Sequence, residues 1–256
     1  MKPATRDRLL ALNRQFYATV AEPFHSTRRS WPYGNVQLLQ FFPTGDASDG
    51  PLRVLDAGCG NGRFAAVLDT LQLPVDYTGV DANPRLLELA RESAAELTNV
   101  HATFVEADLS LPDWARSLKR LDAGFHSGFD EVVCLSTLQH MPSAELRAQV
   151  LCSLADLLTA GGQLVVSAWQ FLASSRLVSR RIAWSTVGFG EQDVEPGDAL
   201  LPWKQDVYAV RYVHQIDIAE MKALAEEAQL EICHTYFADG KEGNLNLYAI
   251  MKRAKS

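Results

Sequence analysis

Three carboxylates, Asp56, Asp81 and Asp108, each close a β-forming run, and the first opens a glycine turn, Asp56-Ala57-Gly58-Cys59-Gly60-Asn61-Gly62. Gly58, Gly60 and Gly62 let the backbone turn sharply and approach a ligand with no side chain between. The helix predicted from Phe64 would aim its free N–H groups at the same place. Asp81 falls about 20 residues after the loop, where a nucleoside-binding βαβ unit holds ribose hydroxyls. A carboxylate suits that task because it accepts two hydrogen bonds from a diol. Asp81 is also placed to cap the helix that begins near Pro84, and the two roles are compatible. Asp108 stands where a carboxylate accepts from the exocyclic amine of adenine with Leu109 against the ring, or where a turn residue is needed.

These side chains need a scaffold, and the hydrophobic pattern supplies one. Strands over 75–80, 101–106, 129–135 and 163–169 alternate with helices over 84–97, 111–118 and 144–158. That alternation predicts an α/β fold with a doubly wound, mostly parallel sheet and a ligand beyond the C-terminal strand ends. The strand ending at Leu135 opens into Ser136-Thr137-Leu138-Gln139-His140-Met141-Pro142, so His140 is a candidate contact with the reacting groups or a capping histidine. Ahead of this core, Leu9, Leu10, Leu12, Phe16, Tyr17 and Val20 predict a helix over 3–22 that Pro23 ends and that lies over the ligand. A second helix is expected over 36–42, then a linker over 44–51. Between Gln170 and Asp217 no further sheet unit is apparent, and a segment of this length reads as a lid. Within it, residues 171–184 hold Arg176, Arg180 and Arg181 without a carboxylate: an anion site or a basic helix face. A helix over 218–229 and strands over 230–238 and 245–252, joined by Asp239-Gly240-Lys241-Glu242-Gly243, complete a single domain. Its parts are a helical cap (1–50), a core (51–169), the lid (170–216) and a terminal unit (217–256).

Composition sets limits. With 256 residues, 47% hydrophobic and 21% charged, the chain suits one globular domain with a sizeable core. No run reaches the roughly 18 apolar residues of a membrane span. Nor does Met1-Lys2-Pro3-Ala4-Thr5-Arg6-Asp7-Arg8 carry the apolar core of a signal peptide, so a cytoplasmic protein with no membrane partner is expected. Cys59, Cys134, Cys152 and Cys233 lack metal-site or disulfide spacing, and no metal is expected. A net charge of −7 argues against binding nucleic acid with the whole surface, while leaving room for a local basic patch.

At the glycine turn and the three acids the chain resembles the class I S-adenosylmethionine-dependent methyltransferases, over about 53–169. Their methionine half carries an ammonium, a carboxylate and a sulfonium but no pyrophosphate, which suits alternate glycines behind an acid. The resemblance implies a seven-stranded Rossmann-like sheet whose terminal hairpin adds a reversed strand. It implies S-adenosyl-L-methionine as cofactor and S-adenosyl-L-homocysteine as product. Asp81 would hold the ribose and Asp108 the adenine, with Tyr17, Arg28, Asp56, Gly58, Gly60, Gly62, Leu109 and Leu135 as further cofactor contacts. Phe16-Tyr17, Ala21-Glu22-Pro23-Phe24-His25-Ser26-Thr27-Arg28, Trp31-Pro32, Leu201-Pro202-Trp203 and Arg211-Tyr212-Val213-His214 look like pieces of the enzymes that esterify 5-carboxymethyluridine at the tRNA wobble position. The chain differs from them in a single His140 in place of a His-His pair and in Val213 in place of a tyrosine.

A carboxylate acceptor is already a nucleophile at neutral pH, so alignment rather than a general base would carry the reaction. His140, Arg176 and Arg211 are the expected aligning residues, and Trp31, Trp169, Trp203 and His214 the expected substrate contacts. Three functions follow: a methyltransferase acting on tRNA, one acting on a small-molecule O or N acceptor, or a non-catalytic cofactor-binding subunit. An activator subunit and the oligomeric state stay open.

Overall fold

The computed structural model describes residues 1–28, 30–43, 50–120 and 128–254; Arg29 and the linker residues 44–49 lie outside them. Seven strands form one sheet in the order β3-β2-β1-β4-β5-β9-β8. They are β1 (Leu52–Ala57), β2 (Val75–Asp81), β3 (Val100–Glu106), β4 (Phe129–Leu135), β5 (Leu158–Trp169), β8 (Leu230–Ala238) and β9 (Asn246–Arg253). Pairs among β1 to β5 are parallel, whereas β9 runs antiparallel to both β5 and β8, so the expected reversed strand is present. Period-two alternation sends neighbouring residues to opposite faces. Leu55, Val132 and Leu164 pack with Leu151, Leu154 and Leu224, while Val54, Val133 and Val165 pack with Phe64, Leu68 and Leu87. Helices α3 (Arg63–Asp69) and α4 (Pro84–Ala94) thus cover one face, and α5 (Ala144–Ala155) and α7 (Ile218–Glu227) the other. The strand order reverses between β1 and β4, which opens a crevice at their carboxyl ends.

Four expectations change. Helix α1 runs Pro3–Thr27, through Pro23 rather than ending at it. The Ser26 and Thr27 hydroxyls bond back to the Pro23 carbonyl at 3.1 and 2.7 Å, holding the last turn. Helix α2 begins earlier than expected, at Tyr33–Leu38, and ends in a 3₁₀ turn, Leu39–Phe41. The predicted helix over 111–118 is a 3₁₀ segment, Trp114–Arg120. Finally, the region 170–216 contains, besides the short α6 (Ser175–Val178), a two-stranded antiparallel sheet of β6 (Asp198–Trp203) and β7 (Ala209–His214). Both strands are buried along most of their length, so they lack the one-sided alternation that marks a strand in sequence. Pro202 within β6 hides the strand further. Among the described residues no helix is long and apolar enough to cross a membrane.

Candidate functional site

The glycine turn converts β1 into α3 directly under a cavity of about 800 Å³. Gly60 has φ +56° and open space before it: an added Cβ would meet nothing nearer than Phe24 at 3.8 Å. That is a place for a ligand to lie against bare backbone. Gly62 differs. It also has a positive φ, +71°, but a Cβ there would strike Ala90 at 2.9 Å and Phe104 at 3.2 Å, and it does not line the cavity. Its role is helix packing rather than the expected cofactor contact.

The acids divide the work. Asp81, at the end of β2, accepts the Gly60 N–H at 2.9 Å and the Asn83 N–H at 2.8 Å, one on each oxygen. Burial raises its pKa and those backbone donors pull it back. Each oxygen keeps a second lone pair for a diol. Asn83, not Asp81, caps α4 by accepting from the Leu86 N–H at 3.1 Å. Asp56 is buried and takes a 2.6 Å hydrogen bond from the Tyr77 hydroxyl; burial pushes its pKa up to about 7 despite that bond. Asp108 accepts the Ser110 N–H and hydroxyl on one oxygen and Arg14 on the other at 2.8–2.9 Å, so it serves its own turn and holds α1 to β3. Leu109 and Leu135 line the cavity beside these acids.

Opposite the acids, α1, β5 and β7 assemble a cationic, aromatic wall. Arg211 is 7% exposed, its guanidinium carbon 4.4 Å from the Trp169 ring centroid and 5.1 Å from that of Phe16. Among the described residues its Nε has no hydrogen-bond partner and no carboxylate pairs with it. Burial depresses its pKa, and the nearby Tyr17 partly restores it. His140 Nδ1 lies 3.1 Å from the Tyr212 carbonyl, which only accepts, so the proton sits on Nδ1. Nε2 therefore accepts from the Tyr17 hydroxyl at 2.9 Å. Burial and then Arg211 lower the His140 pKa to about 3. This imidazole is neutral, and both of its nitrogens are already engaged. Arg28 also faces the cavity, 4.9 Å from the Phe24 ring; burial and the neighbouring Arg63 and Arg211 lower its pKa to about 10.

Other predicted contacts fall elsewhere. Trp31 and Trp169 line the cavity, but Trp203 does not; it packs against Phe16 and Phe24 behind the wall. Arg176 is exposed on α6 and away from the cavity. His214 points to the opposite side of β7, between Asp198 and Glu220. Sequence reasoning missed Arg63, which lines the cavity next to the glycine turn, and Asn13. Asn13 is buried on the stripe of Leu9, Phe16 and Val20, and its amide bonds the Tyr212 N–H and the carbonyls of Tyr212 and His140 at 2.8–3.2 Å. A polar residue on an apolar helical stripe was the available signal.

Residues 55–164 match the family model described as Methyltransferase domain. The tRNA (carboxymethyluridine(34)-5-O)-methyltransferase of Mus musculus is 30% identical over 156 residues, 60% of this chain and 19% of that protein. The chain therefore spans about a fifth of the length of that relative. The ubiquinone biosynthesis O-methyltransferase of Xanthomonas campestris pv. campestris (strain B100) is 30% identical over 115 residues, 45% of this chain and 42% of that protein. A solved S-adenosylmethionine-dependent methyltransferase from Clostridium acetobutylicum superposes with TM-score 0.64 at 11% identity, covering 93% of this chain and 99% of that one. The residues present suit the cofactor: bare backbone at Gly60 for close approach, spare lone pairs on Asp81 for ribose hydroxyls, and the acid Asp56 for cationic groups. Residues 55–164 thus match a methyltransferase domain, and the seven-stranded sheet with its glycine turn has the fold of solved S-adenosylmethionine-dependent methyltransferases.

Proposed function

We propose that the chain methylates a carboxylate oxygen, and that its acceptor is a carboxymethyl-bearing uridine at the wobble position of tRNA. The observation that supports the carboxylate is Arg211, a buried guanidinium open to the cavity with an unpartnered Nε and no acid beside it. Leaving such a charge buried costs several kcal/mol unless an anion joins it. The two oxygens of a carboxylate match the fork of a guanidinium, as those of a phosphate also do.

When bound, S-adenosylmethionine supplies an electrophilic methyl group on a sulfonium. The protein's residues then need only bind, orient and exclude water. Arg211 holds one face of the acceptor, and Trp169 and Phe16 sandwich its guanidinium so that it keeps one direction. Tyr17 and His140, locked by the Tyr212 carbonyl, fix the floor beside it. Neither is available as a base: His140 is held far below its ordinary pKa and burial raises that of Tyr17. A carboxylate acceptor needs none. A phenol or amine acceptor would, and that favours the carboxylate over the small-molecule O- or N-methylation that the likeness to the ubiquinone enzyme supports. The net charge of −7 favours the small-molecule reading. The planar rings of Trp31 and Trp169 at the cavity suit a stacked base.

Incubation with radiolabelled S-adenosylmethionine and tRNA rich in carboxymethyluridine tests this. Label in tRNA that mild base releases as methanol is expected. Label only in small molecules, or label resistant to base, would overturn it.

A further inference from the structure

Behind the cavity wall, charged side chains from β6, β7, α5, α7 and the turn before β6 share one largely buried knot. In the β6–β7 register His214 stands directly opposite Asp198. Its Nδ1 lies 2.7 Å from Asp198 Oδ1, and its Nε2 lies 2.7 Å from Glu220 Oε2 on the first turn of α7. Both partners are carboxylates, so each ring nitrogen donates and the ring is an imidazolium. The Tyr212 hydroxyl donates to the same Asp198 oxygen at 2.7 Å, and the Glu195 N–H donates to the other at 2.8 Å. Arg147, buried on α5, closes the knot through Nε to Glu220 Oε1 at 2.7 Å and Nη2 to Glu195 Oε2 at 2.9 Å. The Met1 amine lies 3.7 Å from Glu195 Oε1. Glu195, Asp198 and His214 offer ligand atoms within 4.8 Å of one another, but those atoms are already bonded within the knot and Arg147 adds a positive charge, so this is an ion-pair network.

Strand alternation connects the knot to the site. Tyr212 and His214 point to one face of β7, and Arg211 to the other, where it meets the cavity. Among the described residues Arg211 has no ion pair; the Trp169 and Phe16 rings flank its guanidinium, and the placement of β7 sets where its side chain starts. We propose that His214 is a positioning residue for Arg211, clamping β7 between Asp198 on β6 and Glu220 on α7 so that the Arg211 guanidinium stays aimed into the cavity. This rests on Arg211 as the acceptor's ligand.

The clamp is pH-dependent. Burial lowers the His214 pKa, but the hydrogen bonds to Asp198 and Glu220 outweigh it and the net shift is upward; Arg147 opposes them weakly. Glu220 is shifted downward, its burial outweighed by His214 and Arg147. The clamp is therefore intact below the raised His214 pKa and lost as pH rises through it. On the acid side it weakens as Glu220 takes a proton, below the ordinary glutamate range.

Nitrogen-15 NMR of the full chain labelled at arginine and histidine, titrated from neutral pH upward, tests this without any acceptor. Arg211→Lys assigns the Arg211 Nε–H signal. Expected are two protonated His214 ring nitrogens at neutral pH and an Arg211 signal that moves at the same pH as the His214 ring loses its proton. In His214→Gln that coupled movement disappears and the Arg211 Nε–H exchanges with solvent at least tenfold faster. An Arg211 signal indifferent to the His214 transition in the parent chain overturns the proposal, whether or not the variant folds. If the coupling is present but carboxylates are not methylated, the proposed function falls and the clamp stands.

Discussion

Arg211 and Asp56 are ionisable groups that the fold has buried, and burial favours the neutral form of each. Replacing Arg211 by Lys keeps the charge but loses the planar fork. Turnover of the carboxylate acceptor is expected to fall on the order of 10²-fold, about 3 kcal/mol, with homocysteine-product binding unchanged by calorimetry. An equal loss of both would move Arg211 from the acceptor to the cofactor. Asp56 holds its proton up to about pH 7 in the folded chain against 3.8 ordinarily. A group that binds its proton more tightly folded than unfolded stabilises at low pH, and that stability is lost as pH rises from about 4 toward 7. Asp56→Asn should flatten this slope in thermal melts at a series of pH values and weaken cofactor binding. A parental slope retained in the variant would assign it to other groups.

At the scale of elements, the turn between β1 and α3 separates glycines that look alike in sequence. Gly60→Ala places a methyl in the cavity, 3.8 Å from Phe24, at φ +56°. Its stability cost is about 1 kcal/mol for the left-handed backbone, while the loss in S-adenosylhomocysteine affinity is at least tenfold. Gly62→Ala adds overlap with Ala90 and Phe104 to the same backbone strain and should cost roughly 3 kcal/mol in urea denaturation, with affinity retained by the folded fraction. If the two variants behave alike, the division of the loop into a ligand side and a packing side is wrong. The period-two split of β1, β4 and β5 between two cores made these strands legible in the chain, as did the acids that end β1 and β2. The β6–β7 pair was hidden because helices and loops bury both its faces, leaving no alternation to read.

The molecule as a whole is tied together across long sequence separations, and α1 is the tie. Through one amide, Asn13 joins α1 to β7 and to the turn at His140. Asn13→Ala would remove the acceptor of the Tyr212 N–H and the Asn13 donor to the His140 carbonyl, for roughly 3 kcal/mol in chemical denaturation and a parallel loss of acceptor turnover, since the wall around Arg211 depends on the same bonds. A destabilised but fully active variant would show that the wall stands without α1. The sequence by itself determined the parallel core of the sheet, the terminal hairpin, the glycine turn and the acids at the strand ends, because each is written in local periodicity and spacing of about 20 residues, while the reversed last strand came from the family resemblance. Only the tertiary structure decided which cations face the cavity. Arg176, Arg211 and His214 are equally polar in the chain, yet strand alternation and the ion pairs of distant helices turn Arg211 inward, bury His214 in a clamp and leave Arg176 in solvent. Side-chain direction in a segment paired with remote elements depends on contacts that no short window of sequence contains.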